Sequence, residues 1–210
     1  MIPRTPGICS LLFPKILFRV DTHGAPDLYL TFDDGPHPEA TAFVLDCLAA
    51  AGAGATFFTV GQNVDRYPQV MERIRSEGHT LGHHTDTHAD ALRTDRAAYL
   101  RDVETGAAKN PSAYFRPPYG KLTPGTYRAL KKRYRIVLWD VISEDYDRRY
   151  TAEACIRKVV RQVRPGSVVV LHDNPKCLDR LRVILPEILK ILGDKGYAFR
   201  ALGTGAGPNP

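Results

Sequence analysis

Short apolar runs alternate along the chain with longer segments whose apolar residues recur every three or four positions. The short runs predict strands at Leu28 to Phe32 (LYLTF), Ala55 to Val60 (ATFFTV), His79 to Gly82, Ala113 to Phe115, Ile136 to Trp139, Val168 to Leu171 and Tyr197 to Ala201. The longer segments predict helices over Glu39 to Ala51, Pro68 to Glu77, Thr94 to Ala108, Thr123 to Arg133, Thr151 to Val163 and Leu178 to Leu192. The punctuation agrees: Pro38 suits a helix entry, Gly78 a helix stop, Thr151 an N-cap, and Pro186 predicts a kink in the last helix.

Seven strands alternating with helices predict an α/β fold on a parallel sheet. No glycine-rich phosphate loop follows the first strand, which argues against a dinucleotide-binding domain. An irregular, TIM-like (β/α) barrel of about seven parallel strands fits better. Residues 28–202 form the expected catalytic domain, residues 1–27 an extension packing on the barrel, and residues 203–210 (GTGAGPNP from Gly203 on) a disordered tail.

Composition changes this picture little. The 210 residues are 43% hydrophobic and 25% charged, the balance of a single globular domain. The net charge is +6, with basic clusters in Arg128 to Arg135, Arg148 to Arg149 and Arg157 to Arg164. There the basic residues alternate with apolar ones, as on solvated helix faces, and no nucleic-acid motif accompanies them, so no nucleic-acid partner is expected. Cys9, Cys47, Cys155 and Cys177 form no C-x-x-C pair and read as reduced thiols. The apolar stretch Ile8 to Val20 is short, broken by Pro14, Lys15 and Arg19, and lacks an A-x-A cleavage site. No transmembrane segment and no secretory signal are expected, which makes the cytoplasm the default location, with a peripheral membrane position left open. Oligomeric state is not readable.

The chemistry-bearing residues fall just past the strands. Asp33 and Asp34 follow the first, His84 and His88 the third, Arg116 the fourth, Asp140 and Asp145 the fifth, and His172 the sixth. In a parallel barrel all strand C-termini share one rim, so these groups converge on one mouth. Gly35 and Pro36 predict a turn that lets both adjacent carboxylates face that mouth. His84 and His88, spaced i, i+4, can chelate one ion from one face of a helical turn. With Asp34 they make a two-imidazole, one-carboxylate set that leaves a position for water. That set suits zinc, with cobalt, nickel and iron as alternatives.

Thr31-Phe32-Asp33-Asp34-Gly35-Pro36, His84-Thr85-x-x-His88, Arg116-Pro117-Pro118-Tyr119-Gly120 and Leu171-His172 occur in that order. Together they resemble the polysaccharide deacetylase (NodB homology) family, carbohydrate esterase family 4, over about Tyr29 to Leu202. The resemblance implies that Asp33 is the general base acting on a metal-held water and that Asp34, His84 and His88 bind the metal. Arg116 would hold Asp33 ionised and oriented, the Tyr119 N–H would stabilise the oxyanion, and His172 would be the general acid. Leu171 would line the acetyl pocket, with Tyr146 and Pro118 shaping the substrate wall. Asp145-Tyr146 is the best match to an Asp-Trp motif whose carboxylate tunes the acid; Asp140, after Trp139, is a rival for that role. His83, where relatives often carry Asn, should point away from His84. Asp86 reads as a turn cap; Asp173 and Asn174 follow the acid and are expected to shape its loop, Asp173 being otherwise an ordinary turn residue.

The implied activity is removal of acetyl groups from N-acetylglucosamine-containing oligo- or polysaccharide, such as peptidoglycan or chitin fragments. An O-acetyl esterase acting on a xylan-like carbohydrate and a catalytically inactive sugar-binding module are the alternatives.

Overall fold

The computed structural model describes residues 13–203. Cys9, the first part of the Ile8 to Val20 stretch, and the tail beyond Gly203 lie outside the described residues.

In chain order the elements are β1 (Ile16–Leu17), β2 (Asp27–Asp33), α1 (Ala40–Ala50), β3 (Ala55–Thr59), α2 (Gly61–Arg66), α3 (Pro68–Ser76) and β4 (Thr80–His83). Then come α4 (Arg96–Lys109), β5 (Tyr114–Phe115), a 3-10 turn (Pro118–Gly120), α5 (Pro124–Leu130), β6 (Arg135–Val137) and β7 (Val141–Ile142). The last are α6 (Ala152–Gln162), β8 (Val168–His172), α7 (Leu178–Asp194) and β9 (Ala198–Phe199). The sheet runs β1-β6-β5-β4-β3-β2-β8-β7, with β9 beside β2. Every strand pairing is parallel. The expected TIM-like α/β architecture is what forms, with β1 and β7 added to the seven anticipated strands. β1 draws part of the N-terminal extension into the sheet: Ile16 and Leu17 pair with Ile136 and Val137 at the sheet edge.

One connection fixes the curvature. β6 ends at Val137 and β7 starts at Val141. Four residue steps span at most about 14 Å, yet the two strands lie near opposite ends of the strand order. The sheet therefore curls until those ends approach each other, and the concave side becomes a barrel interior.

β2 shows how the two faces are filled. Leu28, Leu30 and Phe32 pack outward with Val44, Leu45 and Leu48 of α1 and Ile184, Leu185 and Ile188 of α7. Tyr29 packs inward with Phe58, Val137, Val168 and Leu202, and period-2 alternation puts Thr31 and Asp33 on that same inner face. Both faces are buried, which is why the strand reads as a continuous apolar run.

Helix starts follow their caps. Thr151 accepts from the Ala154 N–H at the start of α6, and Asp95 accepts from Ala97 and Ala98 at the start of α4. At α1 the acceptor is the His37 ring, facing the N–H groups of Glu39 and Ala40, so Pro38 sits in the entry turn rather than at the first helical position. α7 continues as helix on both sides of Pro186. Among the described residues no helix is long and apolar enough to cross a membrane.

Candidate active site

The rim at the strand C-termini gathers the predicted polar residues. Asp33 and His172 are register partners on β2 and β8, so their side chains leave the same inner face of the sheet. Asp34, the next residue, has φ of 80°. This left-handed turn re-aims its carboxylate from the direction strand alternation would give it. Its neighbour Gly35 leaves no room for a side chain, because a Cβ there would lie 2.2 Å from Asp173 Oδ2.

Arg116 is fully buried and crosses the interior. Nη1 donates to Asp33 Oδ1 at 2.6 Å and to Thr31 Oγ1 at 2.8 Å. Nε donates to the Val137 carbonyl at 3.2 Å and Nη2 to that of Leu138 at 3.1 Å. The guanidinium also lies 4.1 Å over the Phe58 ring. Burial lowers its pKa, against the opposing pull of Asp33. One cation thus ties β2 to the end of β6, where the curled sheet has its seam.

His84 and His88 do not sit on a helical turn. Residues 84–88 form an irregular loop in which Thr85 and His88 have φ of 64° and 60°. Those two left-handed residues bring the rings to 5.0 Å between centroids. The loop is pinned from below. Thr85 O accepts from Gly61 N, and the Asp102 carboxylate on α4 accepts from the N–H groups of Asp86 and Thr87. Gly106 on α4 permits the approach: a Cβ there would lie 2.5 Å from the Thr85 carbonyl carbon. Asp86 pairs with Lys109 at 2.7 Å.

Asp34 Oδ1 is buried, 3.2 Å from Nε2 of His88 and 3.8 Å from Nε2 of His84. The ligand atoms of all three residues lie within 4.8 Å of one another. The His84 tautomer follows from its other contact: Nδ1 lies 2.7 Å from the Arg116 carbonyl, which can only accept. Burial holds this imidazole down at about 4, so it is neutral and presents an Nε2 lone pair to the carboxylate oxygen. Burial would raise the Asp34 pKa, yet the His88 contact and the charges of His172, His84 and His88 hold it well below the usual carboxylate range. Two acceptor lone pairs facing each other in a buried site fit a cation between them.

His172 completes the rim. Its Nδ1 lies 2.7 Å from Asp145 Oδ1, and its backbone N–H donates to Asp145 Oδ2 at 2.8 Å. Asp140 instead pairs with Arg164 and accepts from the Ser167 hydroxyl, so Asp145 is the carboxylate that contacts the imidazole. Burial pushes His172 down, but Asp145, with Asp34 and Asp33 beyond it, raises it to about 9. Tyr146 stacks edge-on against His172 at 5.1 Å and is 48% exposed. Across the mouth Tyr119, 58% exposed, stacks edge-on against His88 at 4.8 Å. Tyr119 has φ of 59° in the turn that Pro118 begins.

Leu171 requires a correction. It is fully buried in the helix-facing cluster with Phe32, Leu181 and Leu185. Alternation on β8 puts Val170, not Leu171, on the face of His172. His83 packs against Phe115 and Tyr134, and burial lowers it to about 3.

The sequence profile of the family described as Polysaccharide deacetylase matches residues 21–136. The chain belongs to the polysaccharide deacetylase family. It is 34% identical over 201 residues to a chitooligosaccharide deacetylase of Sinorhizobium fredii, covering 85% of this chain and 91% of that one. It is 32% identical over 188 residues to a peptidoglycan-N-acetylglucosamine deacetylase of Bacillus cereus, covering 84% of this chain and 66% of the relative, just under two thirds. Among solved structures it superposes with a TM-score of 0.86, at 27% identity, on a peptidoglycan N-acetylglucosamine deacetylase bound to 4-naphthalen-1-yl-N-oxidanyl-benzamide. That match covers 93% of this chain and 95% of the other.

The sequence placed Asp173 and Asn174 only in the loop after His172 and gave no reason to single out Asn63. Asp173 is no ordinary turn residue: it is fully buried, accepts from Gly35 N at 3.1 Å and from Thr41 Oγ1 at 2.5 Å, and burial raises it to about 8. Its backbone N–H donates to the Asp33 carbonyl. Asn63 donates to the Asp34 carbonyl at 2.8 Å, and Asn174 to Asp34 Oδ2 at 2.7 Å. Their position after strand ends was the available signal, because the contacts that tie them to Asp33, Asp34, Gly35 and Thr41 are all remote in sequence.

Proposed function

We propose that this chain removes acetyl groups from N-acetylglucosamine-containing oligo- or polysaccharide, using a divalent ion, zinc by the chemistry of the donors, held by Asp34, His84 and His88. The activities for which the chitooligosaccharide and peptidoglycan relatives are named support the substrate class. The observation that carries the reaction is that a base and an acid flank one site. Asp33, locked to Arg116, and His172, locked to Asp145, leave adjacent strands side by side beside the metal-ligand candidates.

A bound divalent ion supplies Lewis-acid polarisation of the acetyl carbonyl and makes water more acidic. Asp33 takes the proton of the attacking water. Arg116 fixes the direction of that carboxylate through a short charge-assisted hydrogen bond. The Tyr119 N–H, at the mouth beside His88, donates to the developing oxyanion, a contribution of about 3–4 kcal/mol where such donors have been removed. His172 delivers a proton from Nε2 to the leaving nitrogen, since its Nδ1 is engaged by Asp145. Amide cleavage needs that proton more than ester cleavage does, so an imidazole held in place by Asp145 suits the N-acetyl reading. Tyr146 and Pro118 wall the sugar, with Val170 in the place first expected of Leu171.

Metal analysis combined with acetate release from chitooligosaccharide, comparing the wild type with Asp33→Asn, tests this. The variant keeps its metal and loses roughly 10²–10⁴-fold in rate. Full activity of the variant removes Asp33 as base. Acetate released from acetylated xylan alone overturns the N-deacetylase reading.

A further inference from the structure

We infer that Asn174 is a positioning residue for the metal centre: its side-chain amide holds one oxygen of Asp34 so that only the other is offered to the ion. This rests on Asp34, His84 and His88 being the metal ligands.

The Asp34 carboxylate has two oxygens in different surroundings. Oδ2 accepts from Asn174 Nδ2 at 2.7 Å, while Oδ1 faces Nε2 of His88 and of His84. The orientation of the Asn174 amide is not free. Its Oδ1 accepts from the backbone N–H groups of Lys176 at 2.9 Å and Cys177 at 3.1 Å. An amide oxygen accepts and an amide nitrogen donates, so the end facing Asp34 is the nitrogen. Two backbone donors just before α7 thereby lock the rotamer of a third donor aimed at the carboxylate.

The other end of Asp34 is held as well. Asn63 Nδ2 donates to its backbone carbonyl at 2.8 Å, fixing the left-handed turn from which the side chain leaves. Asp34 thus has its main chain and one carboxylate oxygen each occupied by an amide. Its free oxygen is left for one-point coordination, which keeps further positions on the ion open for water and the acetyl oxygen. The strand carrying the acid therefore also orients a metal ligand through the residue two positions past His172.

The experiment measures metal affinity of the purified chain by competition with a chromophoric zinc chelator, alongside thermal unfolding of the metal-free protein. Asn174→Ala removes both the turn acceptor and the amide donor. Asn174→Ser keeps an oxygen that accepts from the Lys176 and Cys177 N–H groups, but its shorter side chain does not reach across to Asp34. Residues that orient metal ligands typically contribute about 10–100-fold in affinity. Both variants are expected to lose that much, while only the alanine variant loses melting temperature. Wild-type zinc affinity in the serine variant overturns the role of Asn174. An Asp34→Ala control separates that failure from failure of the site itself. If Asp34→Ala abolishes binding while Asn174→Ser binds normally, the orienting role alone falls; if Asp34→Ala binds zinc normally, the metal-ligand reading falls with it.

Discussion

Asp145 grips His172 at two points, one carboxylate oxygen on the imidazole Nδ1 at 2.7 Å and the other on the backbone N–H at 2.8 Å. Ring and main chain are therefore set by the same group, which leaves the imidazole little freedom to swing out of the site.

Replacing Asp145 with Asn keeps the shape and removes the charge. The folded pKa of His172, about 9, is above its ordinary value of 6.5, so protonated His172 stabilises the fold. That stabilisation is complete below pH 6.5 and is lost as pH rises through about 9. In Asp145→Asn the imidazole should titrate roughly 1–3 units lower, and the alkaline fall in stability should move down with it. Histidine NMR titration of metal-free protein checks this. An unchanged pKa would show that Asp145 is not the controlling charge.

Arg116→Met removes one partner of a buried ion pair and leaves Asp33 desolvated. Such changes cost about 3–5 kcal/mol. The loss should exceed that of Asp33→Asn, whose amide oxygen can still accept from the guanidinium. Urea unfolding of the two variants under one buffer compares them. Equal stabilities would remove Arg116 as the tie between β2 and β6.

Gly106→Ala pushes a methyl group against the Thr85 main chain. Overpacking of this kind costs about 1–3 kcal/mol, and here the atoms that must give way carry His84 and His88. Weaker zinc binding together with a lower melting temperature is expected. A drop in melting temperature at unchanged zinc affinity would mean that α4 supports the fold but does not set the histidine loop.

The rim was legible in the sequence because a parallel sheet makes strand ends converge, so Asp33, Arg116 and His172 could be grouped from their positions alone. β1 and β7 escaped because two residues carry no period. The histidine pair was read as helical from its spacing, whereas left-handed φ values at Thr85 and His88 made a loop that spacing does not encode. Leu171 was placed in the acetyl pocket by the family resemblance, but adjacent strand residues face opposite ways. Asp173 and Asn174 could be assigned to the loop after His172 but no further, because the partners that tie them to the site, Gly35, Thr41 and Asp34, lie 132 to 140 residues away.

The strand order also sets a sequence of events in folding. β2, β3 and β4 are neighbours both along the chain and in the sheet, so the half that holds Asp34, His84 and His88 assembles from short-range pairings. β8 joins β2 only by contacts such as Thr31 to Val169, 138 residues apart, and closing so long a loop is entropically costly and slow. A folding chain should therefore gain the half with the proposed metal ligands before it gains His172. Pulsed hydrogen exchange should find amides of β3 protected ahead of those of β8, and simultaneous protection would rule this order out.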